Sequence, residues 1–546
     1  MKIKKNWILF AILLLAAVLR LWSLGSIPPH LTPDEAALGY NAYSILKTGK
    51  DEYGKLFPAV FKSFGDFKPG LYIYLTIPFV ATLGLDELAV RLPSVLAGVA
   101  AVWLIYLVTN RFFNKKTAIM AALLLAISPW HIHFSRGAWE ANLSLTLTLA
   151  GVYFFLKSLK QQKYLILSAF LFALTYVGYQ GAKLATTIPI LILALVYWKQ
   201  ILKIDRKIIA ISIIVGLFIC VPIFSSFLQG KTGRLEVFSV FSYSRPAKYL
   251  QNFLDQGNEK VGDLTYYLFH SKSLDFTRGI LSRWSNHFSG RFLFFEGDWQ
   301  NPRHSAPYNG MFIFADIVLF ILGFVALVRS KAKGAVFVLL WLVLSPLPAA
   351  LSRDQVHAIR ALNLVIPLTM VSAFGASSLL QAFKKRKSYL KVLVLIFGLF
   401  YLANYAYFLD AYFVHLPKHD SKYWFYGYKQ AVKIVSPIQA DYQKIIFQQS
   451  YNQPYIYFLF YQRYDPVEYQ VQAKLTESGI DVGLVEEFDN ISFEFFSWPP
   501  VAESVTLIVG DAIVIPDNFS REDYNLVSEI KHPDGMETAF RILEVR

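Results

Sequence analysis

Residues 88–110, LAVRLPSVLAGVAAVWLIYLVTN, form the stretch that decides the fold. The stretch is long and apolar enough to cross a bilayer as a helix. Arg111, Lys115 and Lys116 follow directly, and basic residues beside an apolar run are typical of a cytoplasmic end. The stretch therefore predicts a transmembrane helix that ends in the cytoplasm.

The same pattern recurs along the 546 residues, of which 55% are hydrophobic and only 17% charged. A soluble chain carries roughly a quarter of its residues charged, so an ordinary soluble enzyme is excluded. The sequence predicts an α-helical polytopic membrane protein with about eleven transmembrane helices, at residues 7–24, 88–110, 117–133, 138–157, 163–179, 184–199, 207–224, 310–329, 334–350, 359–382 and 389–408. The apolar run 71–85 is left out because it is short and contains Pro78.

The net charge is +15, and the basic residues cluster between apolar runs. This clustering indicates cytoplasmic loops rather than a nucleic-acid partner. The clusters include Lys2, Lys4, Lys5, Lys384, Lys385, Arg386 and Lys387. They predict a multi-pass protein of the cytoplasmic membrane with its amino terminus inside. An odd number of helices then puts the carboxyl terminus outside the cytoplasm.

Three parts are predicted to lie outside: loops at about 26–87 and 225–308, and a tail at 409–546. The tail contains runs rich in β-branched and aromatic residues at 445–447, Tyr455–Tyr461 and 505–515. Such runs favour strands, so the tail is predicted to be an α/β or mostly β domain, separate from a membrane domain at 1–408. The one cysteine, Cys220, excludes a disulfide within the chain.

The first outer loop carries the acids Asp34 and Glu35 at the start of a predicted helix over 35–47. Either Thr32 or Asp34 fits the N-cap position. A carboxylate held at the membrane surface could instead act as a general base. Farther along, Lys68 either extends toward lipid head groups or binds a phosphate.

Two other outer segments carry ionisable residues. In a continuous helix, His133, Arg136 and Glu140 would share one face, with Arg136 and Glu140 able to pair. Arg360 lies in the first turns of a predicted span, where a charge is costly and is either functional or paired, for example with Asp354. The remaining candidates are Asp298, Arg303, His304, Arg353 and His357. Acids and cations gathered at the outer face favour transfer from a lipid-linked phosphate, since a transporter would show charges near mid-membrane.

Several of these stretches resemble the GT-C membrane glycosyltransferases, in the family 39-like branch of protein O-mannosyltransferases and lipid A aminoarabinose transferases. The resemblance spans about residues 19–160 and continues weakly over 357–367. It rests on LRLWSL at 19–24, TPDEA at 32–36, KP at 68–69, RLPS at 91–94 and SPWHIHFSR at 128–136.

The resemblance implies a polyprenyl-phosphate sugar donor, transfer on the outer face of the membrane, and inversion. It implies that Asp34 takes the proton from the acceptor hydroxyl, that Glu35 orients the helix, and that Lys68 holds the donor phosphate. Glu140 stands roughly where the family has a second acid, usually Asp. The sequence departs from the pattern at Phe67, where relatives often have an acid.

Arg136 and Arg360 are candidates to bind the donor phosphate with Lys68, and His133, Arg303, His304, Arg353 and His357 are possible substrate-binding residues. A nucleotide-sugar donor is disfavoured because no Gly-rich or Asp-x-Asp motif is found. No cofactor is expected, and the need for a divalent metal is left open. The acceptor is a hydroxyl of a protein, lipid or glycan. The alternatives are a flippase of lipid-linked sugars and an oligosaccharide ligase or polymerase.

Overall fold

The computed structural model describes residues 7–64, 66–230, 239–242, 245–330, 332–384, 388–449, 453–476 and 484–546. Helices dominate up to residue 472, in the order α1 Trp7–Leu21, α2 Pro33–Thr48, α3 Leu71–Leu83, α4 Glu87–Phe112, α5 Lys115–Ile127, α6 Pro129–Arg136, α7 Glu140–Ser158, α8 Tyr164–Tyr176, α9 Ala182–Ala185, α10 Thr187–Ile201, α11 Arg206–Leu228, α12 Ala247–Gly257, α13 Lys272–Asn286, α14 Asp316–Val328, α15 Lys333–Leu344, α16 Leu347–Ala350, α17 Val365–Lys384, α18 Ser388–Asp410, α19 Leu416–His419, α20 Tyr428–Ile438, α21 Tyr455–Tyr461 and α22 Pro466–Gln472. Strands form a hairpin in the first loop and a sheet in the tail. They are β1 Val60–Ser63, β2 Asp66–Pro69, β3 Lys444–Gln448, β4 Lys474–Thr476, β5 Leu484–Phe488, β6 Ile491–Glu494, β7 Thr506–Gly510, β8 Tyr524–Lys531 and β9 Thr538–Val545.

The predicted multi-pass membrane architecture is confirmed. Among the described residues, six helices are long and apolar enough to cross a membrane, or seven if the bent pair α5 and α6 counts as one span. Each of the eleven predicted spans contains a helix, although several are shorter than 18 residues. The count of eleven spans therefore stays a prediction, and the basic residues Lys2, Lys4, Lys5 and 385–387 lie outside the described residues.

The third predicted span, 117–133, is wrong as a continuous helix. The chain bends by 56° between α5 and α6. Pro129 opens α6, and the Ser128 side chain caps it by accepting from the His131 backbone N–H. Since proline lacks an N–H and its ring clashes with the preceding turn, a helix cannot run straight through this position. All of α6 is buried, so the bend carries polar side chains into the protein.

The tail contains a mixed sheet of seven strands in the order β4-β5-β6-β3-β7-β9-β8. Strand β3 is parallel to β6 and β7, and the other described pairs are antiparallel. With α20, α21 and α22 against it, the sheet confirms the α/β option. The strand predicted at Tyr455–Tyr461 is wrong, since the segment is helical. Its residues are buried on almost every side, so the sequence shows no alternation that would separate helix from strand.

The first outer loop and the tail share one apolar core. Buried residues of α2 and α3 pack with buried residues of α20, α21 and the sheet in a single cluster. The packing is tight at Gly39, where an added Cβ would lie 2.6 Å from Phe460 of the tail and 2.5 Å from Val90 of α4. Tyr457 reinforces the contact by donating to the Leu31 carbonyl at 3.0 Å. The tail therefore holds helix α2 and the acids at its amino end.

Candidate active site

Helix α2 begins in a capping box that gives its two acids different surroundings. The Thr32 hydroxyl accepts from the Glu35 backbone N–H at 3.2 Å, and the Glu35 carboxylate accepts from the Thr32 N–H at 3.0 Å. Glu35 also accepts from Arg91 Nε at 3.1 Å and from the Ala138 N–H at 2.9 Å. With only 1% of its surface exposed, Glu35 is fully engaged in holding the loop. Thr32, rather than Asp34, is the N-cap.

Asp34 points to the other side of the same turn and pairs with Lys68. The side chain of Asp34 is 44% exposed, whereas that of Lys68 is only 10% exposed. Lys68 lies on β2 of the loop hairpin, with its ammonium 5.3 Å from the centre of the Phe64 ring. The structure thus brings together an accessible carboxylate and a largely buried cation, a direct contact that the sequence did not predict.

A second polar group lies beside this hairpin. The Gln180 side-chain amide donates to the Phe67 carbonyl at 2.6 Å and accepts from the Lys183 ammonium at 2.8 Å. A shallow cleft with an accessible volume of about 10 Å³ lies between the hairpin and α11 here. It is lined by Val60, Pro69, Gln180, Lys183, Ile223, Ser226 and Phe227. Gln180 and Lys183 line the cleft on one side, and Ile223 and Phe227 of α11 line it on the other.

The loop before α17 supplies the remaining predicted cations. Arg360 donates to Asp354 at 2.8 Å, so the pairing considered from the sequence is present. The Arg353 side chain lies 3.9 Å from the Asp354 carboxylate, and His357 lies at the same distance from it. Arg360 is also close enough to Tyr179 for an electrostatic interaction. Because Tyr179 precedes Gln180, this loop lies on the same side of the protein as Lys68.

The end of the long outer loop adds Asp298, Arg303 and His304. Asp298 Oδ2 lies 2.9 Å from His304 Nδ1 and accepts from the Ala358 N–H at 2.7 Å, which ties the two loops together. Arg303 lies 5.8 Å from the centre of the Phe425 ring, and its carbonyl is 2.8 Å from His133 Nε2. Burial lowers the pKa of His304 and of His357, so both imidazoles are neutral at pH 7.

Arg136 and Glu140 do not share a helical face as predicted. Helix α6 ends at Arg136, and Glu140 opens α7 after the extended residue Gly137. The Arg136 guanidinium donates to four backbone carbonyls, those of Leu19, Arg20, Trp22 and Ile27. These bonds fasten the end of α1 to α6. Glu140 is partly buried and lies within electrostatic range of Tyr72.

Sequence reasoning missed three groups near the site: Glu52, Gln180 and Lys183. Glu52 is 1% exposed, accepts from Asn41 at 3.0 Å, and its pKa is raised to about 8 by burial. Nothing in DEY at 51–53 distinguishes this acid from a surface residue. Lys183 is a charge at the start of an apolar run, the same signal that singled out Arg360, and could have been found in that way.

This arrangement combines a carboxylate open to solvent, a buried cation in contact with it, and further cations on neighbouring loops. A carboxylate of this kind can accept a proton, and the cations can stabilise charge that develops on a phosphate. The apolar surface of α11 at the cleft is suited to a lipid chain. The site is therefore chemically equipped for group transfer from a lipid phosphate to a hydroxyl.

Comparison with known proteins gives two matches at the level of sequence. Residues 68–225 match the family model described as dolichyl-phosphate-mannose-protein mannosyltransferase. A curated relative from Bacillus subtilis (strain 168), named "Putative mannosyltransferase YycA", is 28% identical over 166 residues. That segment is 30% of this chain and 23% of the relative, so the chain spans about a quarter of the length of the curated relative.

Two solved structures share the architecture. ArnT from Cupriavidus metallidurans bound to undecaprenyl phosphate aligns with a TM-score of 0.56 at 11% identity, over 98% of each chain. The Archaeoglobus fulgidus oligosaccharyltransferase tethered with an acceptor peptide aligns with a TM-score of 0.51 at 12% identity, over 84% of this chain and 63% of that one. Together with the sequence matches, these likenesses confirm the resemblance to the GT-C membrane glycosyltransferases and the GT-C-like fold.

Proposed function

We propose that this protein is an integral membrane glycosyltransferase that moves a sugar from a polyprenyl-phosphate donor to an acceptor hydroxyl, with inversion at the anomeric carbon. The observation that carries the proposal is the Asp34–Lys68 pair, an accessible carboxylate against a largely buried cation. The family description names a lipid-phosphate sugar, and one structural neighbour is bound to undecaprenyl phosphate. Both support a donor of this class.

In this proposal Lys68 changes partner during the reaction. Without donor, the ammonium pairs with the Asp34 carboxylate. A donor phosphate competes for the same ammonium, and its arrival frees Asp34 to accept the proton of the acceptor hydroxyl. A positioned base contributes about 10²–10⁴ in rate. The leaving lipid phosphate gains negative charge as the anomeric bond breaks, and Lys68 stabilises that charge.

Arg360 and Arg303 are the other cations proposed to contact the donor. Arg360 is largely buried beside Asp354, so it can bind a phosphate without losing many side-chain rotamers. The proposal leaves out Arg136, because its guanidinium is engaged with backbone carbonyls. Glu35 is a positioning residue, since its contacts hold the turn that presents Asp34.

The remaining candidates are proposed to form the acceptor side of the site. Glu140 is retained there as a second acid. The other members are His133, His304, Arg353 and His357, which lie on α6 and on the two loops joined by Asp298. The acceptor itself is a hydroxyl of a protein, lipid or glycan. The tail at 409–546, packed on α2, is proposed to help select that acceptor while residues 1–408 carry the reaction.

The proposed orientation puts the amino terminus in the cytoplasm and the tail outside it. The first loop and the tail pack in one core, so they lie on the same side of the membrane. An even number of crossings must then separate them, and the ten spans predicted between α4 and α18 satisfy this condition. The basic residues at the far ends of α4 and α7 support a cytoplasmic assignment for the opposite side.

The proposal is tested by offering purified protein a panel of donors and identifying products by mass spectrometry. We expect transfer from polyprenyl-monophosphate hexoses or pentoses to a hydroxyl acceptor, with release of the lipid phosphate. Transfer only from diphosphate-linked oligosaccharides would indicate a ligase or polymerase. Movement of the lipid-linked sugar across proteoliposomes without sugar transfer would indicate a flippase. Either of these two results would overturn the proposal.

A further inference from the structure

Asp298, His304 and His357 form a compact cluster near the proposed site. One ligand atom from each lies within 4.8 Å of the other two. The three residues are 0%, 2% and 8% exposed, so the cluster is nearly closed to bulk water. A carboxylate with two imidazoles is a ligand set that binds Zn²⁺ in proteins, usually with a fourth position left for water or substrate.

The surrounding backbone fixes these side chains in place. The Asn301 N–H and side-chain amide both donate to Asp298 Oδ1 at 3.1 Å, and the Ala358 N–H donates to Oδ2. The His357 N–H donates to His287 Nε2 at 3.2 Å. Outer hydrogen bonds of this kind orient metal ligands and raise affinity. The two loops are thus held together whether or not an ion is bound.

We propose that Asp298, His304 and His357 bind one divalent transition-metal ion of the Zn²⁺ class. With metal–ligand bonds of about 2.0–2.2 Å, tetrahedral ligands lie roughly 3.3 Å apart. The ligand atoms, now within 4.8 Å of one another, therefore move closer together when the ion binds. A neutral imidazole binds a metal through its unprotonated nitrogen, so the His304 proton that now faces Asp298 Oδ2 moves from Nδ1 to Nε2, and Nδ1 binds the ion.

The charges around the cluster bear on what the ion would do. Asp298 and Asp354 supply two negative charges, and Arg303, Arg353 and Arg360 supply three positive ones. A bound dication leaves this region positive, with an open coordination position for an anionic oxygen. The bound ion should therefore attract a donor phosphate more strongly, and this consequence rests on the proposed function. The metal-site proposal itself does not depend on the proposed function.

The test measures bound metal rather than activity. Purified full-length protein is stripped with a chelator, exposed to Zn²⁺, dialysed and assayed by elemental analysis. We expect one ion per chain in the wild type and loss of that ion in His304→Ala and His357→Ala. The matched control is His415→Ala, which removes an exposed histidine whose ring lies 5.7 Å from that of His419. This control should keep the full stoichiometry.

Asp298→Asn keeps the shape of the loop and serves if the alanine variants fail to fold. Zn²⁺ should raise the unfolding temperature of the wild type and not that of Asp298→Asn, because an ion that binds only the folded state stabilises it. No bound ion in the wild type, or equal binding in the wild type and the His304 and His357 variants, would overturn the proposal. Metal binding in a protein that transfers no sugar would contradict the proposed function alone.

Discussion

Asp34 and Glu35 are neighbours in sequence, but the surroundings of each carboxylate differ in solvent exposure and in the partners that it binds. Glu35 and Arg91 form an ion pair whose side chains are at most 1% exposed, and further backbone groups satisfy both partners. Asp34 and Lys68 pair one residue away, but 44% of the Asp34 side chain is open to solvent. The first pair is a fixed part of the fold, whereas the second can change partners. Solvent access therefore decides which acid is available for reaction.

The largest difference between the two acids should appear in stability. Glu35→Ala leaves Arg91 charged and buried without its carboxylate, which costs about 3–5 kcal/mol. Asp34→Ala removes a partly exposed pair and should cost about 0–1 kcal/mol. Thermal unfolding in detergent compares the two variants directly. Equal destabilisation would show that the exposed pair also holds the loop.

A second stability prediction concerns the contact between α2 and the tail. Gly39→Ala places a Cβ within 2.6 Å of Val90 and Phe460, which must move apart. Overpacking of this kind costs about 1–3 kcal/mol. Gly216→Ala is the matched control, because its added Cβ meets nothing within 4 Å. If the two variants unfold at the same temperature, the tight packing of α2 against the tail at Gly39 does not contribute to stability as described.

Lys68→Ala should weaken donor binding more than it changes the fold. Loss of the ammonium removes the proposed phosphate contact, and we expect at least a tenfold rise in Kd for polyprenyl phosphate, about 1.4 kcal/mol. Lys62→Ala, on the facing strand of the same hairpin, is the control. Unchanged affinity in Lys68→Ala would place the phosphate elsewhere.

Another predicted effect is a pH dependence of stability from Glu52. Burial raises the pKa of this carboxyl from 4.5 to about 8, so the folded protein keeps a proton that the unfolded chain loses above pH 4.5. The stabilisation associated with the protonated Glu52 carboxyl is therefore fully present below pH 4.5 and is lost as the pH rises toward 8. Glu52→Gln should therefore unfold at a higher temperature than wild type at pH 8.5 and change little at pH 5. The opposite dependence on pH would mean that Glu52 is ionised in the folded protein.

The sequence was sufficient for features that depend on composition or on short spacing. Apolar length predicted the helices, and the sequence left Thr32 and Asp34 as alternative N-caps, of which the structure has Thr32 in a capping box with Glu35. The sequence predicted the wrong secondary structure at Tyr455–Tyr461, because a segment buried on almost every side has no alternation of apolar and polar residues. The sequence singled out Asp298, His304 and His357 but did not predict that they meet, because Asp298 and His357 lie 59 positions apart and only the packing of two loops brings them together.

The central claim is that Lys68 leaves Asp34 for the donor phosphate and that Asp34 then acts as the base. The most direct test is the single-turnover rate of sugar transfer by Asp34→Asn at saturating donor, with the Kd for donor measured in the same preparation. The account predicts a rate lowered by about 10²-fold or more, with Kd unchanged or lower because Lys68 has lost its competing partner. An unchanged rate, or a loss explained by a higher Kd alone, would contradict it.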